Sequence, residues 1–263
     1  MEQTKKYTVI TGASSGIGYE AAKAFAERRK NLIVAARRTE KLETLKREIS
    51  EQHPTLDVII RTVDLSVLRN VYQFYSSLKD FQLETWVNNA GFGNYDSVAQ
   101  QDLEKIDTML RLNVEALTIL SSLFVRDYKD VPGTQLINLS SCGGYTIVPT
   151  AVTYCATKFY VSTFTEGLAW ELIETGAKMR AKVLAPAATQ TEFGKKANNV
   201  DTYDYDKAFG TYHTSRQMAE FLMKLCDSDS TLGIVDRETF QFELRLPMFP
   251  YANSSTHNQH PSK

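Results

Sequence analysis

Short runs of apolar, mostly β-branched residues alternate with longer amphipathic stretches along the first two thirds of the chain. The runs Tyr7–Thr11, Leu32–Ala36, Val58–Val63, Trp86–Asn88, Leu136–Leu139 and Lys182–Leu184 predict strands. They are nearly all apolar rather than alternating, which is the pattern of strands covered on both faces. Between them the spacing predicts helices near Gly16–Arg29, Glu40–Glu51, Val67–Lys79, Leu103–Tyr128 and Tyr154–Glu174. Thr39 and Ser66 stand where they would cap two of these helices. This alternation predicts an α/β fold, a doubly wound parallel sheet with helices on both faces.

The final third changes character. Pro186 follows the sixth predicted strand, and a polar, aromatic stretch runs from Thr189 to Thr214 with Tyr203, Tyr205, Phe209 and Tyr212 inside it. Such a segment predicts a substrate lid over about residues 189–214. Its rings form a substrate wall or only anchor the lid. A helix near Ser215–Cys226 and a last strand near Gly233–Val235 complete a single domain over residues 1–250. Residues 251–263 read as a flexible tail.

Composition narrows the class. Apolar types make up 43 % and charged types 23 %, which excludes a largely disordered chain. Thirty Lys and Arg against 31 Asp and Glu leave a net charge of −1. Nothing there draws the chain toward nucleic acid or an anionic membrane. No run approaches ~18 uninterrupted apolar residues, and Tyr7–Ile10 is too short for a signal-peptide core. A cytoplasmic protein without a membrane partner is expected. Cys142, Cys155 and Cys226 are odd in number and form no CxxC pair, so neither a disulfide framework nor a zinc site is expected. His53 and His213 are isolated, so no metal site is expected, and His213 reads as a solvated loop histidine.

The first strand leads directly into Thr11-Gly12-Ala13-Ser14-Ser15-Gly16-Ile17-Gly18 and the first helix. Glycines there let the backbone approach a phosphate, and a helix N-terminus supplies N–H donors. The spacing GxxxGxG differs from GxGxxG, and the plainer alternative is a tight turn. The place between strand and helix favours a nucleotide. An acid that would take ribose hydroxyls is missing at the end of the second strand, where Arg37-Arg38 follows Ala36. A guanidinium grips a 2′-phosphate, so NADP(H) is preferred and NAD(H) is still permitted. The alternative is that both arginines merely open a solvated helix. Asp64 and Leu65 could hold the adenine, or Asp64 could be a turn residue.

Tyr154 and Lys158 lie at i and i+4, on one helix face. Lowering a tyrosine pKa from ~10 toward ~7 takes about 4 kcal/mol. A cation ~4 Å away at an effective dielectric near ~20 supplies about that much, and Lys158, helped by the positive nicotinamide of an oxidised cofactor, is expected to provide it. Tyr154 would then pass a proton to or from a carbonyl oxygen. Alone, such a pair is more often a surface contact.

The ordered set resembles the short-chain dehydrogenase/reductase family, in its single-domain, NADP-preferring branch. The resemblance covers about residues 5 to 240. It is carried by Thr11–Gly18, Asp64-Leu65, Asn88-Asn89-Ala90-Gly91, Asn113, Ser140-Ser141, Tyr154 with Lys158, and Pro186 with Thr191. It implies a Rossmann-type fold and an oxidoreductase acting on a small carbonyl or alcohol substrate. By that resemblance Ser141 bonds the substrate oxygen, with Ser140 the lesser candidate, and Tyr154 is the general acid and base. Lys158 binds the nicotinamide ribose and depresses the tyrosine pKa, and Asn113 holds a proton-relay water. Gly12, Ser14, Ser15, Gly16, Ile17 and Gly18 would contact the cofactor phosphates. Asn89, Ala90 and Gly91 would line the adenosine ribose, and Pro186 and Thr191 would flank the nicotinamide. A homodimer or homotetramer is implied too, with Leu117, Leu120, Phe164 and Leu168 serving that interface or the core.

Two positions depart from the family pattern. Ala187 replaces the usual glycine after Pro186, which matters only if φ is positive there. Ser15 replaces a basic residue common in NADP-preferring members, leaving Arg37 first and Arg38 second to carry the preference. The rival readings are a non-catalytic NADPH-binding regulatory protein, an epimerase or dehydratase using the same pair, and a 3-ketoacyl thioester reductase. Cys142 and Cys155 flank Ser141 and Tyr154 as packing residues open to alkylation.

Overall fold

The computed structural model describes residues 5–253. The apolar runs form β1 (Lys6–Thr11), β2 (Asn31–Ala36), β3 (Val58–Thr62), β4 (Gln82–Asn88), β5 (Gln135–Leu139) and β6 (Arg180–Ala185). A two-residue pair follows, β7 (Thr189–Gln190) with β8 (His213–Thr214), and then β9 (Leu232–Val235) and β10 (Phe242–Arg245). The helices are α1 (Gly16–Glu27), α2 (Thr39–Gln52), α3 (Leu68–Ser76), α4 (Leu103–Leu110), α5 (Leu117–Tyr128), α6 (Val152–Glu174), α7 (Phe193–Asn198), α8 (Tyr205–Phe209) and α9 (Ser215–Asp227).

The main sheet has the order β10-β9-β6-β5-β4-β1-β2-β3. It is a Rossmann-type α/β sheet, parallel except at one edge. The chain winds outward from β1 to β3 and then back from β4 to β9. The winding reverses between β1 and β4, and ligands of such sheets bind at the carboxyl ends of the strands there. The expected doubly wound parallel sheet is observed, with one strand added at its edge, because β10 runs antiparallel to β9. Phe242 stacks on Phe221 of α9 with ring centroids 4.5 Å apart, which fixes the return strand. The half-exposed run Phe-Glu-Leu-Arg is too short and mixed to have announced it.

Both faces of the sheet are covered. Ile10, Val34, Phe25, Leu45 and Leu222 fill one side, beneath α1, α2 and α9. Trp86, Phe74, Tyr75 and Phe124 fill the other, beneath α3 and α5. Trp86 is fully buried, and its indole N–H donates to Asn88 Oδ1 at 2.8 Å. Truncating such a ring costs about 3–5 kcal/mol. A buried polar ladder ties the two central strands to the helices above them. Asn88 Nδ2 donates to Ser121 Oγ and to Asn138 Oδ1, and Asn138 Nδ2 donates to Thr165 Oγ1. Lys182 is another buried polar group, 1 % exposed, donating to the carbonyls of Leu225, Cys226 and Ser228 at the end of α9.

The expected helix Leu103–Tyr128 is interrupted. Residues Arg111–Ala116 form a wide π turn between α4 and α5. The combined 26-residue stretch is long and apolar enough to cross a membrane by length and composition. Its Ala116, Leu120 and Phe124 instead pack into the core cluster of Trp86, and Leu117 is buried as well. The two expected caps are also corrected. Arg38 and Val67, without side-chain cap bonds, precede α2 and α3. Thr39 shares a hydrogen bond with Thr62, and the Ser66 hydroxyl donates to Asp64 Oδ1, so neither hydroxyl is directed at a helix end. The expected tail falls mostly outside the described residues. Its start is docked, with Tyr251 stacked on Trp170 and donating to Glu174.

Candidate active site

The glycine loop carries the chain from β1 into α1. Ser15 precedes α1 with extended backbone and makes no side-chain cap bond, and no acid lies in the first turn. The first-turn N–H donors are therefore not engaged by a cap, as an anion site requires. Gly12 has φ +69°, and a Cβ there would sit 2.8 Å from Ala90 Cα. A Cβ on Gly18 would meet Gly12 O at 2.7 Å. Between these two glycines lies the amide of Asn89, donating to Thr11 O at 2.9 Å and Gly12 O at 3.1 Å. Asn89 thus welds the loop to the end of β4.

Arg37 and Arg38 close the far end of the loop. Arg38 donates to Ser14 Oγ at 3.2 Å and forms an ion pair with Glu192 at 2.8 Å. Arg37 is more exposed and stands 3.9 Å from Asp64. Asp64 Oδ1 accepts from Ser66 N and Oγ, so Asp64 is a turn residue as well as a wall of the site.

At the other end, α6 presents Tyr154 and Lys158. Both are buried, and the lysine Nζ lies 5.9 Å from the centre of the tyrosine ring. Lys158 Nζ donates to Leu139 O at 2.8 Å, and burial pushes its pKa down to about 8. Burial also raises the Tyr154 pKa, and the nearby Tyr95 adds to the rise. The Ser141 hydroxyl, hydrogen-bonding toward the phenol, acts in the opposite sense. The expected depression belongs to Lys158 together with the positive nicotinamide of an oxidised cofactor, whereas the chain's own groups shift the phenol upward. Desolvation exceeds what an ammonium over the ring face supplies.

Ser141 is the second residue past β5, and its Oγ accepts from Gly143 N at 3.0 Å. Ser140 is occupied elsewhere, donating to Lys158 O and sharing a bond with Ser162. Asn113 sits in the π turn with its amide donating to Phe92 O and Thr157 Oγ1, while Phe92 N donates to its Oδ1. A Cβ on Gly91 would fall 2.9 Å from that Oδ1 and 3.7 Å from Lys158 Nζ. The bare glycine is what lets Asn113 and Lys158 approach each other. Ala187 is not among the residues with positive φ, so the departure from glycine strains nothing.

One cavity of about 760 Å³ joins these parts. Every residue expected at the site lines it except Gly18 and Asn113, which support it from behind. Thr191 is among the lining residues, and its Oγ1 accepts from Phe193 N at 3.0 Å. Tyr205 and Phe209 line it too and stack on each other, so the aromatic segment both walls the cavity and braces itself. His213 is not solvated as expected. It packs against Phe221 and Phe240, and burial lowers its pKa. Sequence reasoning missed Tyr95, Glu192, Phe193, Arg237 and Phe240, all of which line the cavity. Only the position of Glu192 beside Thr191 hinted at any of them.

The profile of the short chain dehydrogenase family matches residues 6–201. The chain belongs to this family of oxidoreductases. Dehydrogenase/reductase SDR family member 11 of Gallus gallus is 29 % identical over 81 % of this chain and 85 % of that protein. Sulfoacetaldehyde reductase 2 of Chromohalobacter salexigens is 32 % identical over 70 % of this chain and 73 % of its own length. Among solved structures, a short-chain dehydrogenase from Sphingobium yanoikuyae in complex with NADPH superposes with a TM-score of 0.79. It is 26 % identical and covers 87 % of each chain.

Proposed function

We propose that this chain is an NADP(H)-dependent carbonyl reductase or alcohol dehydrogenase working through Tyr154. The observation that carries the reading is the single cavity with a glycine loop and two arginines at one end and Ser141, Tyr154 and Lys158 at the other. The NADPH-bound relative from Sphingobium yanoikuyae supports the same cofactor. The residues fit a dinucleotide. The uncapped start of α1 and the glycine cradle would hold the pyrophosphate, Arg38 with Ser14 and Arg37 a 2′-phosphate, and Lys158 the nicotinamide ribose. When bound, the nicotinamide supplies or accepts the hydride.

The protein's own part is proton handling and orientation. Burial keeps the Tyr154 phenol protonated at neutral pH, which suits an acid that donates to a carbonyl oxygen. Ser141 fixes that oxygen with its hydroxyl. Lys158 spends one hydrogen on Leu139 O and has two more to give, toward a ribose hydroxyl and a proton path. Asn113, held by Phe92 and Thr157, keeps the π turn open beside the lysine. Residues 189–214 act as the lid. Glu192 fastens it to Arg38, and Lys105 Nζ fastens it through Lys196 O, Ala197 O and Asn199 Oδ1. Aromatic walls suit an apolar or aromatic carbonyl compound.

The test follows NADPH absorbance across aldehydes, ketones, quinones and 3-ketoacyl thioesters. Tyr154→Phe should cut turnover by about 10²–10⁴-fold with NADPH binding retained. Near-normal turnover in that variant contradicts the mechanism.

A further inference from the structure

Basic side chains line the cavity at Arg37, Arg38, Lys105, Lys158, Lys196 and Arg237. The first five have partners. Arg38 and Lys196 face Glu192, Arg37 faces Asp64, Lys105 caps the end of α7, and Lys158 holds Leu139 O. Arg237 is exposed at the cavity's rim and makes no hydrogen bond, ion pair or ring contact to any of the described residues. An unpaired guanidinium facing a cavity is a strong, directional anion receptor.

Its place in the fold narrows which anion it can meet. Arg237 follows β9, whereas Arg37 and Arg38 follow β2, and the sheet order sets β6, β5, β4 and β1 between those strands. The cofactor phosphates have their donors at the β1–β2 end. Arg237 stands instead on the Ser141 side, where its charge acts on the thiol of Cys142, the residue after Ser141. A braced turn carries it. Asp236 Oδ1 accepts from Glu238 N, Thr239 N and Thr239 Oγ1, and Phe240 N donates to Asp236 O. The same turn sets Phe240 into the cavity wall with φ 54°, against His213 at the end of the 189–214 segment.

We infer that Arg237 anchors an anionic group of the substrate, so that the preferred substrates are carbonyl compounds with an apolar or aromatic body and a carboxylate or similar oxyanion. This rests on the reductase reading and names its substrate class. The carbonyl would lie at Ser141 and Tyr154 and the anion at Arg237, with Phe193, Tyr205 and Phe209 along the body.

The test compares benzoylformate with its methyl ester, the same ketone with and without the charge. With NADPH and the wild-type chain, kcat/KM should favour the acid. Arg237→Ala should lose about 10–100-fold on the acid and change by less than twofold on the ester, while Arg237→Lys keeps part of the preference. An ester reduced as well as the acid by the wild type, or an equal loss on both in the variant, overturns the anchor and leaves the reductase reading standing. Should neither ketone turn over, benzoylformate binding to the NADP⁺ complex is read by fluorescence. Binding that vanishes in Arg237→Ala upholds the anchor and counts against hydride transfer to a ketone alone. Binding that is absent from the wild type, or indifferent to Arg237, overturns the anchor.

Discussion

Lys158 is caught between two demands. It is buried enough for its pKa to fall to about 8, and the role proposed for it needs the ammonium form. Its folded-state pKa lies below the unfolded lysine value of 10.5. The ammonium therefore persists below about pH 8 and is lost above it, so the rate of ketone reduction should fall as pH rises through that point. A pH profile of kcat/KM checks this, and a flat profile from pH 6 to 10 contradicts it. Tyr154 and Lys158 were legible as a pair on one helix face, but their role, and Ser141 ahead of them, came from the family resemblance. The direction of the tyrosine shift was not legible, because it depends on how deeply the fold buries the ring. The sequence put Arg37 first, nineteen residues past Gly18, and Arg38 second, and the structure gives Arg38 the firmer setting. Arg38 is braced by Ser14 and Glu192, while Arg37 leans toward Asp64 with most of its side chain in solvent. Arg38→Ala should weaken NADPH by about 10–100-fold and leave NADH within twofold, read by fluorescence titration. Equal losses on both would remove Arg38 from the 2′-phosphate.

At the scale of elements, the strands were readable because strands covered on both faces leave continuous apolar runs. The features that depend on distant partners were not. Nothing local marks the π turn at Arg111–Ala116 or the return strand β10. Ser66 and Thr39 looked like caps because the right residue types preceded helical periodicity, but each hydroxyl bonds a nearer oxygen. Lys182 lay inside a predicted strand as an unexplained charge. In the fold it reaches the three terminal carbonyls of α9 and docks that helix onto β6. Lys182→Ala removes the donor of Cys226 O and Ser228 O, Leu225 O keeping Ser228 N and Oγ, and should lower stability by about 2–3 kcal/mol in chemical denaturation. Activity per folded molecule should be unchanged, because Lys182 does not line the cavity. An unchanged denaturation midpoint would show that the docking role is wrong.

At the scale of the molecule, the reversal of winding between β1 and β4 brings the glycine loop, the end of β5 and α6 to one cavity. Most of that site could be read in the chain because its parts fall at strand ends, where order in sequence becomes order in space. The wall from Phe193 to Phe240 could not, since the sequence leaves its path across the cavity open. Hydride transfer to a carbonyl is the central claim, and labelled cofactor tests it most directly. NADPH carrying deuterium at C4, prepared separately on each face, would be given with a reducible ketone, and the alcohol read by mass spectrometry. Deuterium is expected on the carbinol carbon from one face only, with no labelled alcohol above background for Tyr154→Phe. An alcohol formed without label from either face, or labelled equally well by Tyr154→Phe, would contradict the claim.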